Sequence, residues 1–367
     1  MDNQLLYKIA ISLVPGIGVI LARNLIAYIG SIEEVFREKP KTLMKVPGIG
    51  EVNARRFRHP EILERAEKEL EFIVKNNIST CFYLDKNYPR RLFNCSDAPI
   101  LIYLKGKVNL DCEKVISIVG TRNATEYGKE VCNNLIAEIK ERNHQILIVS
   151  GLAYGIDIQA HKSALRFNLP TVAVLGHGLD LLYPSLHSGT AKKMQDNGGL
   201  VSDFPSRTKI DPANFIRRNR IIAGLSDATV VIESGLKGGA LVTANIASSY
   251  NRDVFAFPGR ISDPFSAGCN KLIKINGAAL IESVNDLEYI MGWEQDKKPD
   301  GIQQQLFVDL SEQEKMICSL LKDGKTLFID QICAEAGLPM SRVSGLLLNL
   351  EFKGVVSAMP GKLYKLK

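Results

Sequence analysis

The chain has 367 residues, 46% hydrophobic and 23% charged, the balance of a packed protein of two or three domains rather than a disordered one. Its 46 Lys and Arg against 40 Asp and Glu give a net charge of +6, which suits a polyanionic partner. No apolar run reaches the roughly 18 residues of a membrane span, the start MDNQLLYKIA lacks a signal-peptide pattern, and the seven cysteines form no C-x-x-C pair. These features point to a cytoplasmic protein with reduced thiols, no membrane association, no metal and no cofactor.

Residues 1–78 read as a helical module. The pentads Val14-Pro15-Gly16-Ile17-Gly18 and Val46-Pro47-Gly48-Ile49-Gly50 stand 32 residues apart, each followed by a helical stretch with a small residue, Ala22 or Ala54. Such self-similarity indicates a duplicated helix-hairpin-helix unit of the SAM-like kind. Pro and paired Gly allow a tight turn that leaves backbone N–H groups at the next helix start, a place suited to a phosphate. Gly16, Gly18, Gly48 and Gly50 are therefore secondary nucleic-acid-binding candidates. The same turns also serve as protein contacts in such modules.

Residues 79–295 change character. Val115–Val119, Ile146–Val149, Thr171–Leu175, Thr229–Ile232 and Asp253–Phe257 are short β-branched runs, as buried parallel strands require. Helical segments such as Tyr127–Arg142 and Ile156–Phe167 lie between them, giving an α/β class and a Rossmann-like, doubly wound sheet. Ligands bind beyond the carboxyl ends of such strands. There the sequence places Gly120-Thr121-Arg122, then Ser150-Gly151, then Gly176-His177-Gly178, then Gly238-Gly239 and Pro258-Gly259-Arg260. Small residues with bare amides make a phosphate-binding rim.

Arg122 follows a buried strand directly, where a charge is costly unless it serves a partner. A ligand contact is preferred there over an ion pair with Asp157 or Glu233. In Pro212–Leu225, Arg217, Arg218 and Arg220 cluster around Asn219, with Phe215 just before. Arginine forks pair with phosphate and stack on bases. One of the three would make an internal salt bridge, and Phe215 is either a stacking platform or core.

Catalytic signatures are missing. There is no G-x-x-x-x-G-K-[ST], no completed G-x-G-x-x-G and no G-x-S-x-G, and the five histidines lack metal-ligand spacing. His161 reads as structural, and Asp157 and Asp180 as helix caps. The competing reading is a nucleotide-processing enzyme of the phosphoribohydrolase-like Rossmann class, whose P-G-G-x-G-T-x-x-E signature is incomplete at Gly238-Gly239.

Residues 296–304 read as a linker and 305–367 as a third module. Ser311 and Glu314 form a capping box. Helical patterns cover Ser311–Lys322, Phe328–Ala336 and Met340–Lys353, and Val355–Leu366 alternates like a hairpin turned at Pro360-Gly361. Three helices and a wing make a winged helix. Its recognition helix offers only Arg342, which favours protein contact or self-association over sequence readout.

Nearly the whole chain resembles the DprA/Smf family of bacterial DNA-processing proteins. The carriers are, in order, Tyr88-Pro89 with Asp97-Ala98-Pro99; Ile118–Arg122; Val149–Asp157 with Ala160-His161; Gly178-Leu179-Asp180 with Tyr183-Pro184; Phe215 with Arg218–Ser226; Leu241–Ala244; Val254–Gly259; and Gly268–Ile273. The resemblance implies a non-catalytic protein that binds single-stranded DNA, shields it during natural transformation, loads the RecA recombinase and forms a homodimer. It implies Arg122 as a phosphate contact and Phe215 in the DNA groove. The expected nucleic-acid site also includes Thr121, Ser150 and Gly151 of the rim, together with Thr243, Asn270 and Lys271. Two positions depart from the family pattern: Ser185 stands where a basic residue is usual, and Gly238-Gly239-Ala240 lacks both serine hydroxyls of S-G-S.

Overall fold

The structure, a computed structural model, describes residues 3–293, 310–322, 325–359 and 363–366. The chain divides into two compact units, 1–294 and 295–367. The linker expected at 296–304 and the turn at Pro360-Gly361 lie outside the described residues.

The first unit opens with six helices: α1 (Asn3–Leu13), α2 (Val19–Ile29), α3 (Ile32–Arg37), α4 (Pro40–Leu43), α5 (Glu51–Arg56) and α6 (Pro60–Lys75). The two hairpins are α1–α2 and α4–α5. Gly16 and Gly48 take φ of +76° and +85° in their turns, a backbone that favours glycine. The hairpins lock on each other. Arg56 on α5 donates to the Pro15 carbonyl at 2.7 Å, and Leu21 on α2 lies against Gly48.

There follow β1 (Ser79–Phe82), α7 (Arg90–Phe93), β2 (Leu101–Gly106), β3 (Lys114–Val119), α8 (Glu126–Glu141), β4 (Ile146–Ser150), α9 (Ile156–Arg166), β5 (Thr171–Val174), α10 (Ser188–Met194), β6 (Gly198–Ser202), α11 (Pro212–Leu225), β7 (Ala228–Val231), α12 (Gly239–Ser249), β8 (Asp253–Ala256), α13 (Ala267–Lys274), β9 (Ala279–Leu280) and α14 (Val284–Met291). The strands form one sheet in the order β1-β2-β6-β5-β4-β3-β7-β8-β9. It is parallel from β6 to β9, with β2 and β1 added antiparallel at one edge.

Two apolar layers cover the sheet. One face carries Ile116, Ile118, Ile146 and Ile148 into a cluster with Leu135 and Ile136 of α8 and Ala160 of α9. The other carries Val115, Val119, Val149 and Val172 into a larger cluster with α11, α12 and the N-terminal helices. The alternation of strand side chains sends successive residues to these two layers. Buried polar ties bind the N-terminal helices to the sheet. The Glu69 carboxylate, 1% exposed, accepts from the Ser206 N–H at 2.9 Å and from Arg65 at 2.9 Å.

The second unit contains α15 (Glu312–Leu320), β10 (Leu327–Phe328), α16 (Ile329–Ala336), α17 (Met340–Phe352), β11 (Val356–Met359) and β12 (Leu363–Leu366). The Ser311–Glu314 capping box is formed. Three helices and an antiparallel β10-β12-β11 wing enclose a core of Ile317, Leu321, Ile332, Val343, Leu347 and Leu350.

Candidate functional site

The strand order fixes where a site can form. From β3 the chain builds outward through β4, β5 and β6, then returns to the other side of β3 with β7 and β8. The switch point therefore lies between β3 and β7, where diverging connections open a crevice at the carboxyl ends. A cleft of about 530 Å³ occupies that place, walled by Gly120, Thr121, Arg122, Ala153, Tyr183, Phe215, Asn219, Gly238, Gly239 and Thr243, among others.

The β3 lip is held rigidly. The Thr121 N–H donates to the Glu233 carbonyl at 2.7 Å, and Thr121 Oγ1 accepts from the Asn123 N–H at 3.2 Å. Gly155 (φ +77°) permits a close approach from β4–α9: a Cβ there would fall 2.1 Å from the Thr121 carbonyl oxygen. Arg122 itself is exposed, and its side chain meets no ion-pair or hydrogen-bond partner among the described residues. The two acids that could have paired with it are engaged elsewhere. Glu233, fully buried, accepts from the Thr125 N–H at 2.9 Å and the Thr125 hydroxyl at 2.5 Å. Asp157 lies under the cleft and accepts from the Gly151 N–H at 3.2 Å. Burial pushes its carboxyl above the usual range, and the neighbouring Arg218 guanidinium pulls it back.

Helix α11 forms the facing wall. Asp211 caps it, accepting from the Ala213 N–H at 2.8 Å, and Pro212 occupies the first turn. The helix presents Phe215, Ile216 and Asn219 to the cleft. Gly176 leaves room for the Phe215 ring, because a Cβ there would stand 2.8 Å from it. Asn219 has no hydrogen-bond partner among the described residues. Tyr183 sits against Phe215, ring centroids 5.8 Å apart and tilted by 40°, and is 44% exposed. The third wall is the start of α12, whose N-cap Gly238 supplies no side-chain cap. A Cβ at Gly239 would meet nothing within 4 Å, so the first amides of an 11-residue helix are bare toward the cleft.

The three arginines of α11 diverge: Arg220 makes the internal salt bridge expected of one of them, and the expectation that all three are nucleic-acid contacts needs correction. Arg218 is 4% exposed; it turns inward and donates to the Gly151 carbonyl at 2.6 Å and to the Val174 carbonyl. Burial, with Arg122 nearby, pushes its pKa down to about 10, against the pull of Asp157. Arg220 is tied to the Asp203 carboxylate at 2.5 Å and to the Asp97 carbonyl. Arg217 is exposed, its guanidinium 5.4 Å over the Phe204 ring, away from the cleft lining. At about 100° per residue the three positions spread over about 160° of the helix, so the three side chains do not converge on one spot.

Arg218 nonetheless lines the cleft floor, while Arg217 and Arg220 lie outside it, as do several other expected residues. Ser150 is fully buried and donates to the Ile118 carbonyl at 2.6 Å. Gly151 lies beneath the Arg218 guanidinium, 2.4 Å from where a Cβ would sit. Asn270 holds the loop after β8, accepting from the Gly259 N–H at 3.1 Å and donating to its carbonyl at 3.0 Å. Lys271 is exposed and away from the cleft lining. Asp180 caps no helix; it accepts from the Arg207 N–H at 2.8 Å. In the hairpins, Gly18 and Gly50 are the N-caps of α2 and α5 with open space where a Cβ would go. The Gly16 turn is filled by Arg56. Tyr183, which the sequence offered only as part of the Tyr183-Pro184 motif, and Ile216 were not expected to line the site; an aromatic next to the Pro184 turn was the available signal.

Comparison with known proteins agrees with this geometry. Residues 79–291 match the family model of DNA recombination-mediator protein A, 305–362 that of the DprA winged helix domain and 9–57 that of the SAM-like helix-hairpin-helix tandem. The Smf protein of Synechocystis is 32% identical, covering 99% of both chains. The structure of DNA processing protein A from Streptococcus pneumoniae superposes with a TM-score of 0.64 at 29% identity, over 79% of this chain and 98% of that one. The DNA processing protein A of Helicobacter pylori, described for its single-stranded DNA binding mode, gives 0.53 at 28% identity, over 59% and 96%.

Proposed function

The chain belongs to the DNA recombination-mediator protein A family, the DprA/Smf proteins, and from that premise we propose that it binds single-stranded DNA in the cleft at the β3–β7 switch point. It does so without catalysis. As a cytoplasmic homodimer it shields incoming strands during transformation and hands them to the RecA recombinase. The observation that carries the reading is Arg122: an exposed, unpaired guanidinium on a braced lip. It faces an α11 wall bearing Phe215 and Asn219, and the bare amides of α12. Arginine for phosphate, an aromatic ring for a splayed base and backbone N–H groups for a second phosphate are the elements of sequence-tolerant single-strand binding. The H. pylori relative's single-stranded DNA binding supports the same reading.

The acids near the cleft favour a binder over an enzyme. Asp157 is buried beneath Arg218, and Glu233 is closed off by Thr125. The backbone amides of Gly239 and Ala240 replace the usual hydroxyls, the Gly238 N–H being engaged by the Gly235 carbonyl. Residues 1–78 and 305–367 act as accessory modules around the 79–295 domain, joined by 296–304. Competition between single- and double-stranded oligonucleotides tests the reading. The expected result is a clear single-strand preference, with RecA filaments forming faster on pre-bound strands. A duplex preference, or release of free base from nucleoside monophosphates, contradicts it.

A further inference from the structure

The cleft does not end at Arg122. Ala153 lines it, and the next residue, Tyr154, stands 45% exposed where the cleft meets α9. Its ring rests edge-on against His187, centroids 5.0 Å apart at 70°. His187 is buried and donates from Nδ1 to the Leu152 carbonyl at 2.8 Å. Tyr154 is thus a surface aromatic fixed between the starts of α9 and α10, the two helices that pack side by side below it.

Below that ring the surface is basic. Lys162 and Arg166 are exposed one turn apart on α9, and Lys192 and Lys193 are exposed on α10. Lys107, also exposed, joins them, because its N–H donates to the carbonyl of Gln195, the C-cap of α10, at 2.9 Å. None of the five has an ion-pair partner among the described residues. The sole carboxylate on either helix is Asp157, and it is buried. Exposed acids near these cations are Glu130 on α8, which packs on α9, and Asp196, whose N–H donates to the Lys193 carbonyl. A helix C-terminus favours cations, which accounts for the sign of Arg166, Lys192 and Lys193. Lys162 in mid-helix and Lys107 outside any helix carry the charge beyond that effect.

We propose that a DNA strand leaving the cleft stacks a base on Tyr154 and runs its phosphates down the outer face of α9 and α10. This rests on the cleft being the single-strand site. An 11-residue helix such as α9 is about 16 Å long, so the track lengthens the bound strand by several nucleotides. An aromatic followed by a run of exposed cations without ion-pair partners among the described residues, Arg166 resting over the Phe167 ring at 5.5 Å, fits a flexible polyanion whose bases can splay, and single-strand sites combine these two features.

The test is fluorescence anisotropy with two labelled oligothymidines, one of about 6 nucleotides that fills the cleft alone and one of about 30. The variant combines K162E, R166E, K192E and K193E. Expected is short-strand affinity within twofold of the parent and long-strand affinity lowered tenfold or more. The long strand's log–log salt slope becomes shallower by about 0.7 for each phosphate that is no longer neutralised. The matching Lys→Gln and Arg→Gln set, which cannot repel, shows a smaller loss in the same direction, and Tyr154→Leu weakens the long strand several-fold. Unchanged long-strand affinity and slope, while R122A still abolishes short-strand binding, overturns the track. Short-strand binding that survives R122A instead overturns the cleft reading beneath it.

Discussion

Arg122 and Arg218 show how alike two arginines look in sequence and how differently they act. Arg218 sits over Gly151 and beside Asp157 in a fully buried network. Replacing it with Met leaves two carbonyls without their donor and the buried Asp157 carboxylate without its neighbouring positive charge, a loss of about 3–5 kcal/mol readable in chemical denaturation. Arg217→Ala removes only an exposed cation–π contact, and stability should change by less than about 1 kcal/mol. Gly151→Ala drives a Cβ into the Arg218 guanidinium and should cost about 1–3 kcal/mol. His161 adds a pH dependence. Its Nδ1 donates to Thr171 Oγ1 at 2.7 Å, since that hydroxyl donates to the Ile148 carbonyl, and burial pushes its pKa down to about 3. The unfolded chain therefore binds a proton below about pH 6.5 that the folded chain refuses. That contribution is fully present above pH 6.5 and is lost as pH falls toward 3. Asp157 and Asp203, raised by burial, act in the opposite sense. The comparison is thus between the parent and His161→Gln, whose stability gap should narrow on acidification.

At the scale of elements, the residues that faced the cleft were legible where a motif marked a strand end, and illegible where helical phase decided. Gly120-Thr121-Arg122 and Gly238-Gly239 could be placed because a turn after a buried strand has one place to go. The arginines of α11 could not, because their direction depends on how the helix rolls against β3, β4 and β5. Phe215 reaches the cleft because Gly176 makes room for its ring, a meeting of positions far apart in sequence. Phe215→Leu keeps the apolar packing but gives up base stacking. Single-strand affinity should fall by about 1–3 kcal/mol, with the melting temperature almost unchanged. Strand β6 was missed because Gly198 and Gly199 resemble a turn. At φ +134° and +153° they instead let β5 and β2 approach on either side, with the Thr171 and Lys105 carbonyls about 2 Å from where each Cβ would lie.

At the scale of the whole molecule, the α/β alternation gave the central sheet and the paired pentads gave the hairpins. The antiparallel addition of β1 and β2 was not visible, since Ser79–Phe82 is a short run with two polar residues and Leu101–Gly106 follows Pro99 closely. Each unit carries its own core, so a chain ending at Glu294 should keep its cooperative melt and its single-strand affinity within about threefold.

Whether Arg122 holds a phosphate is read from single-strand affinity measured against salt in the parent and in Arg122→Ala. In the parent, log affinity should fall linearly with log salt. In the variant, binding should be about tenfold or more weaker for every sequence, with a slope shallower by about 0.7. Equal affinities and equal slopes in the two proteins would contradict a phosphate held there.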